Sequence, residues 1–378
     1  MTPHAAVTRI LQVVMAGGET NDDFSQILAH DAELQHWVRL TVHRLGFGRR
    51  IDKINEMVTL LGQNRVRDLI IGRHIERTFV PEPESVLAQL KARMEKEQRD
   101  RANKKPPANS EGATPLSAEE REALEVIPTM VDFERYLVHA KKAEQVAIAI
   151  RNSYPGQAFA AGVLFDHARF LLKTLDTKEI ASKAIQKTDA YIEKIFESGL
   201  RSGIAGNEII QKISIPRQKT VYATALLRNI GKCLLFAYDP LAFEKSFLAS
   251  TGEENPKKKK DSSEAEQISF ELDHAQAGAL LMGRLPFLSE IERSVDFHHN
   301  PKLLRYSNPG LYAMACVLRV SGALERTYQA YRSQDVDIDR IPDGRITGSE
   351  EFAFLKLNAA DWSEIKGNYA LNLMKTGL

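Results

Sequence analysis

Apolar residues recur three and four positions apart along nearly the whole chain, while strict alternation is scarce. The first spacing lines one face of a helix and the second one face of a strand, so the pattern predicts an all-α fold. The opening segment 6–14 (AVTRILQVV) carries Val7, Ile10, Leu11 and Val14 on a single face. Thr2-Pro3 ahead of it reads as an N-cap followed by proline in the first turn, where a missing N–H costs nothing. Gly17-Gly18 stops this helix. Further helices are predicted over 22–29, 31–45, 51–60 and 63–78, separated by breaks that include Gly46, Gly48 and Gly62. Residues 1–80 therefore read as an N-terminal helical bundle, with Trp37 as a core side chain.

The pattern changes after Val80. Residues 85–104 look like a charged helical extension, and 105–116 (KPPANSEGATPL) are rich in proline and glycine, so 81–116 is expected to be a linker. Ser117 with Glu120 forms a capping box that opens the next helix. A larger helical lobe is expected over 117–334, with a soft insertion at 250–266 (STGEENPKKKKDSSEAE). The tail 335–378 is expected to end in a helix with Asn358 as N-cap and Trp362 as anchor. Lys257 to Lys260 sit among Glu253, Glu254, Asp261, Glu264 and Glu266, and read as a solvated loop in preference to a phosphate contact. A weak repeat sets AFAAGVLFDHARFLL (158–172) over VYATALLRNIGKCLL (221–235); one helix and its exit is too little for a solenoid.

Composition then narrows the partners. The 378 residues hold 51 Lys+Arg against 50 Asp+Glu, a net charge of +1, which suits neither a polycation for nucleic acid or anionic membrane nor an acidic tail. Arginines are dense between 39 and 77 (Arg39, Arg44, Arg49, Arg50, Arg65, Arg67, Arg73, Arg77), yet residues 1–80 hold ten Lys+Arg against nine Asp+Glu. They read as a solvated helical surface, and without aromatic interleaving nucleic acid is set aside as a partner. The two cysteines, Cys233 and Cys316, lie in apolar runs, which excludes a disulfide framework and a multi-cysteine zinc site and fits a reducing compartment. No apolar stretch approaches the roughly 20 residues of a membrane span. No basic-then-apolar leader opens the chain, so a cytoplasmic protein without membrane insertion is expected. Neither a G-x-x-x-x-G-K-[ST] loop nor a G-x-S-x-G elbow is present.

Three of the ten histidines are grouped: His274 in ELDHAQAGALLM, and His298 with His299 in VDFHHNP. Between them RLPFLSEIERSV has helical spacing, so two histidine-bearing turns on successive helices are able to face one cavity. In that order, ALLRNIGKCLL, DHAQAGALLMGRLPFLSEI and HHNP resemble the HD superfamily of metal-dependent phosphohydrolases, and more narrowly its HDOD branch (HD-related output domain). ILAHDAELQHWVRLTV and INEMVTLLGQNRVRDLII resemble the opening bundle of that family, and YLVHAKKAEQVAIAI the helix leading into the HD motif. The resemblance extends over most of residues 5 to 325.

The resemblance also shows what is altered. Catalytic members carry a His-Asp pair whose carboxylate bridges two metal ions; here the pair falls on Arg228-Asn229, followed by the retained Gly231-Lys232. Asparagine carries no charge, and arginine brings a permanent positive one. The closing aspartate should fall near VLRVSGALE, where Ser321 and Gly322 stand. Arg228, Asn229, Lys232, His274, His298 and His299 are thus expected to line a vestigial pocket with no catalytic residue, no metal and no cofactor. If the earlier copy VLFDHARFLL is the true motif helix, His139, Asp166 and His167 become alternative ligands. The resemblance implies an N-terminal helical bundle joined to a larger HD-like bundle, acting as a non-catalytic signalling or scaffold module in bacteria through protein contacts. Two alternatives stay open. One is a phosphohydrolase or cyclic-nucleotide phosphodiesterase with an unusual ligand set; the other is a pseudoenzyme whose Arg228 holds a phosphate of a signalling nucleotide.

Overall fold

Helices form in the N-terminal part where the apolar spacing places them. The computed structural model describes residues 3–16, 20–44, 53–79, 135–176, 183–216, 218–251, 261–282, 289–332 and 338–378, and every regular element among them is helical. α1 (Pro3–Ala16) buries Val7, Ile10, Leu11 and Val14, as its spacing requires. α2 (Asn21–Ala29) starts at a capping box in which Thr20 accepts from the Asp23 N–H and Asp23 accepts from the Thr20 N–H, so two orphan donors are satisfied. α3 (Ala32–Arg44), α4 (Ile54–Leu61) and α5 (Gln63–Phe79) follow, with α2 packed on all three. Gly62 separates α4 from α5 at φ +80°, a backbone region in which only glycine is at ease.

Two of the arginines expected on a solvated surface are buried instead. Arg67 is 2% exposed and bound to Asp68, with Nε and Nη2 each 3.0 Å from Oδ1. The Arg73 guanidinium lies 4.1 Å from the centre of the buried Trp37 ring, a cation–π contact that lets a charged helix face turn inward.

The chain divides into two compact units, one of residues 1–13 with 18–137 and the other of 14–17 with 138–378. The expected linker 81–116 and the capping box at Ser117 lie outside the described residues. The second unit opens with α6 (Val138–Ala149) packed along α7 (Pro155–Asp176). α8 (Lys183–Lys212) packs against α9 (Val221–Leu227), and α10 (Gly231–Tyr238) and α11 (Pro240–Thr251) come next. α12 (Ser262–Phe270), α13 (His274–Met282) and α14 (Ser289–Asp296) lead to α15 (Pro309–Arg332). α15 is buried along most of its length and packs on α8, α9 and α14, so it forms the spine of the unit. Short helices α16 (Gly344–Thr347) and α17 (Glu350–Leu355) precede α18 (Ala359–Thr376). Asn358 caps α18 in a capping box with Asp361, and Trp362 is 3% exposed, as the sequence led us to expect. No helix among the described residues is long and apolar enough to cross a membrane.

The repeat and the soft insertion turn out differently from their sequence reading. Residues 158–172 run unbroken within α7, whereas the matching stretch breaks over 228–230 between α9 and α10. There Ile230, Lys232 and Cys233 each bond to the carbonyl three residues back, which tightens the chain and sets Arg228 and Asn229 on a turn. The expected soft stretch 250–266 ends early, because Asp261 caps α12 through the Ser263 N–H and residues 262–266 are helical. Lys257 to Lys260 lie outside the described residues.

Candidate functional site

The turn at 228–230 and the first residue of α13 are held together by the absence of a side chain. A Cβ on Gly231 would stand 2.0 Å from the His274 carbonyl oxygen and 2.5 Å from the Gly278 nitrogen, so only glycine lets α13 come this close to α10. This contact brings His274 beside the turn that carries Arg228, Asn229 and Lys232. His298 and His299 follow the end of α14, ahead of the single turn Pro301–Leu304. All six residues line one cavity of about 530 Å3, which Glu325, Arg326 and Glu351 also border.

The imidazoles form a tight cluster. Ring centres lie 5.4 Å apart for His274 and His298, 4.7 Å for His274 and His299, and 4.1 Å for the adjacent pair. His274 is clamped by Glu266, whose Oε2 accepts from the backbone N–H at 2.8 Å and from the ring Nδ1 at 2.5 Å. Ser262 donates to the other carboxylate oxygen at 2.9 Å. His298 Nδ1 donates to the Val295 carbonyl at 2.6 Å. Burial pushes His274 and His298 well below the ordinary imidazole range, with the positive charges of Lys232 and Arg228 adding to the effect on His274; the neighbouring histidines add to it on His298. Burial likewise brings His299 down to about 4. The three rings are neutral at pH 7.

Arg228 occupies the other side. It is 3% exposed; Nη1 donates to the Leu318 carbonyl at 3.3 Å and Nη2 lies 3.7 Å from Glu325 Oε2. Glu325 is held a second time by Arg201, Nε to Oε1 at 3.3 Å. Burial lowers the guanidinium to about 10, which leaves it charged at neutral pH. Gly322 makes room for it, since a Cβ there would fall 1.4 Å from Nη1. The Lys232 side chain forms no hydrogen bond or ion pair among the described residues, and Lys232 is half-buried at the cavity wall; burial lowers its pKa while Glu266 pulls the other way.

The alternative ligands sit in a different place. Asp166 is fully buried and accepts from the backbone N–H groups of His139 and Ala140, 3.0 Å each, and from His139 Nδ1 at 2.8 Å. It thereby caps α6 from α7. His139 Nε2 lies 3.3 Å from Glu193 Oε1, and the ring packs edge-on to Phe196. His167 Nδ1 donates to the Val163 carbonyl one turn back in its own helix. None of His139, Asp166 and His167 lines the histidine cavity.

Carboxylates at the site escaped the sequence reading, Glu325 and Glu266 among them. Glu325 lies one turn beyond Ser321, so an acid does reach the pocket from the stretch thought to lack one. Glu266 was counted among the acids of a solvated loop, yet it is 3% exposed and grips His274. The pattern Asp261-x-x-Glu264 ahead of Ala265 was the available sign that a helix begins there. A two-metal phosphohydrolase centre does not fit these residues. Where the resemblance would place the metal-binding pair, Asn229 offers an amide and Arg228 a guanidinium, and Glu325 is engaged by two arginines.

A family model described as HDOD domain matches residues 169–301, a narrower span than the resemblance over 5–325. The match takes in the histidine cluster, Glu266 and the turn at 228–230 and leaves out His139, Asp166 and His167. A solved structure, an HDOD domain protein with unknown function from Geobacter sulfurreducens, is similar over 97% of this chain and 91% of its own, with 14% identity and a TM-score of 0.38. No curated protein matches the chain.

Proposed function

We propose, from the match of residues 169–301 to a family model described as HDOD domain, that this protein is a non-catalytic signal-transduction module of the bacterial cytoplasm, acting as a scaffold through protein contacts. One observation carries the reading: a buried arginine is built into the place where a catalytic His-Asp pair would hold metal. Arg228 supplies a fixed positive charge, balanced by Glu325. A guanidinium has no open coordination position and cannot generate a hydroxide at neutral pH, so the two services of a metal pair are missing. Apolar side chains suited to a protein partner stand in solvent at Tyr238 and Leu241, 83% and 79% exposed, and at Leu303 and Tyr306, 63% and 91% exposed.

The test uses the full chain. Incubated with phosphomonoesters and cyclic mono- and dinucleotides, with and without Mn2+, Mg2+ or Fe2+, it is expected to turn over none of them. Pull-down from the native cytoplasm is expected to capture a partner that is lost when Leu303→Ser and Tyr306→Ser are introduced together, or Tyr238→Ser with Leu241→Ser. Phosphodiester turnover that disappears in His299→Ala would sink the proposal. A nucleotide-binding pseudoenzyme is favoured by one specific feature, the unpartnered Lys232 at the wall of a cavity of about 530 Å3 beside Arg228. Calorimetry against cyclic dinucleotides separates the two, because heat that is lost in Lys232→Ala assigns the pocket to a nucleotide.

A further inference from the structure

The second unit holds another cavity, of about 650 Å3, which shares no lining residue with the histidine cavity. Its walls come from the end of α6 and the turn after it, from α8, and from α18. Small-molecule sites commonly have about 300–1,000 Å3. The family match at 169–301 reaches neither the α6 wall nor the α18 wall, so this cavity stands apart from the site described above.

A buried carboxylate is part of the lining. Glu208 is 3% exposed, and its Oε1 accepts from Asn207 Nδ2 at 3.3 Å and from Asn372 Nδ2 at 3.0 Å. The orientation of these amides is fixed from their far ends by groups that can only donate. The Tyr154 N–H gives to Asn152 Oδ1 at 2.7 Å, so Asn152 turns its Nδ2 to Asn207 Oδ1 at 2.8 Å, and Asn207 in turn presents Nδ2 to Glu208. On the other side Lys375 Nζ gives to Asn372 Oδ1 at 3.4 Å, which leaves Asn372 Nδ2 for the carboxylate. Two relays of donors thus converge on one acid, yet Glu208 forms no ion pair among the described residues. Burial pushes its pKa above the ordinary carboxylate range; the amides and the more distant charge of Lys375 pull the other way. A carboxylate held by neutral amides alone in a protein interior is a charge without its counter-charge.

The exposed part of the lining has the opposite sign. Arg151 and Lys375 are exposed, and Arg151 makes no ion pair or side-chain hydrogen bond among the described residues. Arg151 also stands at φ +57°, a backbone region that side chains other than asparagine and aspartate seldom occupy. A strained residue kept at the edge of a cavity points to use of its side chain. We propose that this cavity binds a zwitterionic amino acid, with its ammonium group on Glu208 and its carboxylate on Arg151 and Lys375. The ammonium brings the missing positive charge and three donors, and its bonds to the carboxylate are charge-assisted. Tyr154 and Leu371, 39% and 45% exposed, offer apolar surface to the ligand side chain. The bound molecule joins α18 to α8 and to the turn after α6, so its supply governs the firmness of this end of the unit.

The experiment titrates the full chain calorimetrically with each of the common amino acids, and with methylamine and acetate, which carry one of the two charges each. Saturable binding of at least one amino acid is expected, tighter than that of either half-ligand, together with a higher melting temperature on loading. Glu208→Gln keeps the shape of the side chain and removes its charge, and should weaken binding about 10–100-fold. Arg151→Gly suits the left-handed backbone and, combined with Lys375→Ala, alters exposed side chains only. This double variant gives a readout that does not depend on the buried site folding correctly, and should weaken binding by up to about 5-fold for each charge removed. No saturable heat from any amino acid overturns the inference. Binding undiminished in Glu208→Gln or in the double variant does so as well, and so does a half-ligand that binds as tightly as the best amino acid. The outcome is separable from the proposed function, because none of these residues lines the histidine cavity.

Discussion

Replacing Gly322 by alanine tests whether Arg228 is truly accommodated by design. A Cβ at 322 would lie 1.4 Å from Nη1 and 2.5 Å from Cζ, so the guanidinium must leave and swing toward the cavity. That motion breaks the hydrogen bond to the Leu318 carbonyl and the contact with Glu325. Removing one partner of a buried ion pair costs about 3–5 kcal/mol. The lower end applies, because Arg201 still holds Glu325. Against this, alanine in a helix interior gains about 1 kcal/mol over glycine. The net expectation is a loss of about 2 kcal/mol, or roughly 4–8 °C in melting temperature for a unit of this size. Urea and thermal unfolding of the full chain read the loss, and the same substitution in an Arg228→Ala background supplies the control. With the guanidinium gone the clash is gone, and Gly322→Ala should then be neutral or stabilising by up to about 1 kcal/mol. Additive effects of the two substitutions would refute the reasoning, since it requires them to be strongly coupled.

Two further outcomes follow from buried polar groups of the second unit. Burial, the largest influence on His139, pulls its pKa down, but the hydrogen bonds to Asp166 and Glu193 prevail and raise it above the ordinary 6.5. The folded state therefore binds this proton more tightly than the unfolded state. The resulting stability is fully present below pH 6.5 and declines as pH rises through the raised value; urea unfolding at a series of pH values should show that decline, and His139→Gln should flatten it. Trp362 donates from Nε1 to Asp343 Oδ2 at 2.6 Å, and Lys366 reaches the same oxygen at 2.9 Å. Trp362→Phe keeps most of the packing and loses the bond to a charged acceptor, so a destabilisation of about 1.5–3 kcal/mol in chemical unfolding is expected; no measurable change would mean the indole contributes by packing alone.

Helix positions were legible because they follow from local chemistry. Val7, Ile10, Leu11 and Val14 announce one buried face, and Asn358 with Asp361 announces a helix start, without any knowledge of what lies opposite. The grouping of His274, His298 and His299 was legible for the same reason, since they lie at the start of one helix and just past the end of the next. Long-range burial was not legible. Arg67 and Arg73 look like surface residues in a charge-balanced segment, and contacts such as those with Asp68 and the Trp37 ring turn them inward. Glu266 is the instructive case: it sits six residues after a lysine run, and its value depends on His274, eight residues away across a helix exit. Glu325 was hidden by expecting an acid at one position, when a residue one helical turn further along α15 reaches the same pocket.

The surroundings of Arg228 have the mark of a built structure in their mutual dependence. Arg228 fits only because position 322 has no side chain, and its charge is tolerated at 3% exposure because Glu325 and the Leu318 carbonyl receive it. Gly322 in the interior of a buried helix carries a conformational cost of about 1 kcal/mol that nothing else at that position offsets. Across the same cavity Glu266, Ser262 and the Val295 carbonyl fix two imidazoles in the tautomer that presents a lone pair inward. Such orientation has no purpose in a pocket that merely packs, because apolar side chains would fill it at lower desolvation cost. The pocket therefore combines a permanent organic cation on one wall with a cluster of neutral imidazoles on the other. That combination suits holding an anionic ligand in place better than activating water, which is the physical content of the proposed non-catalytic reading.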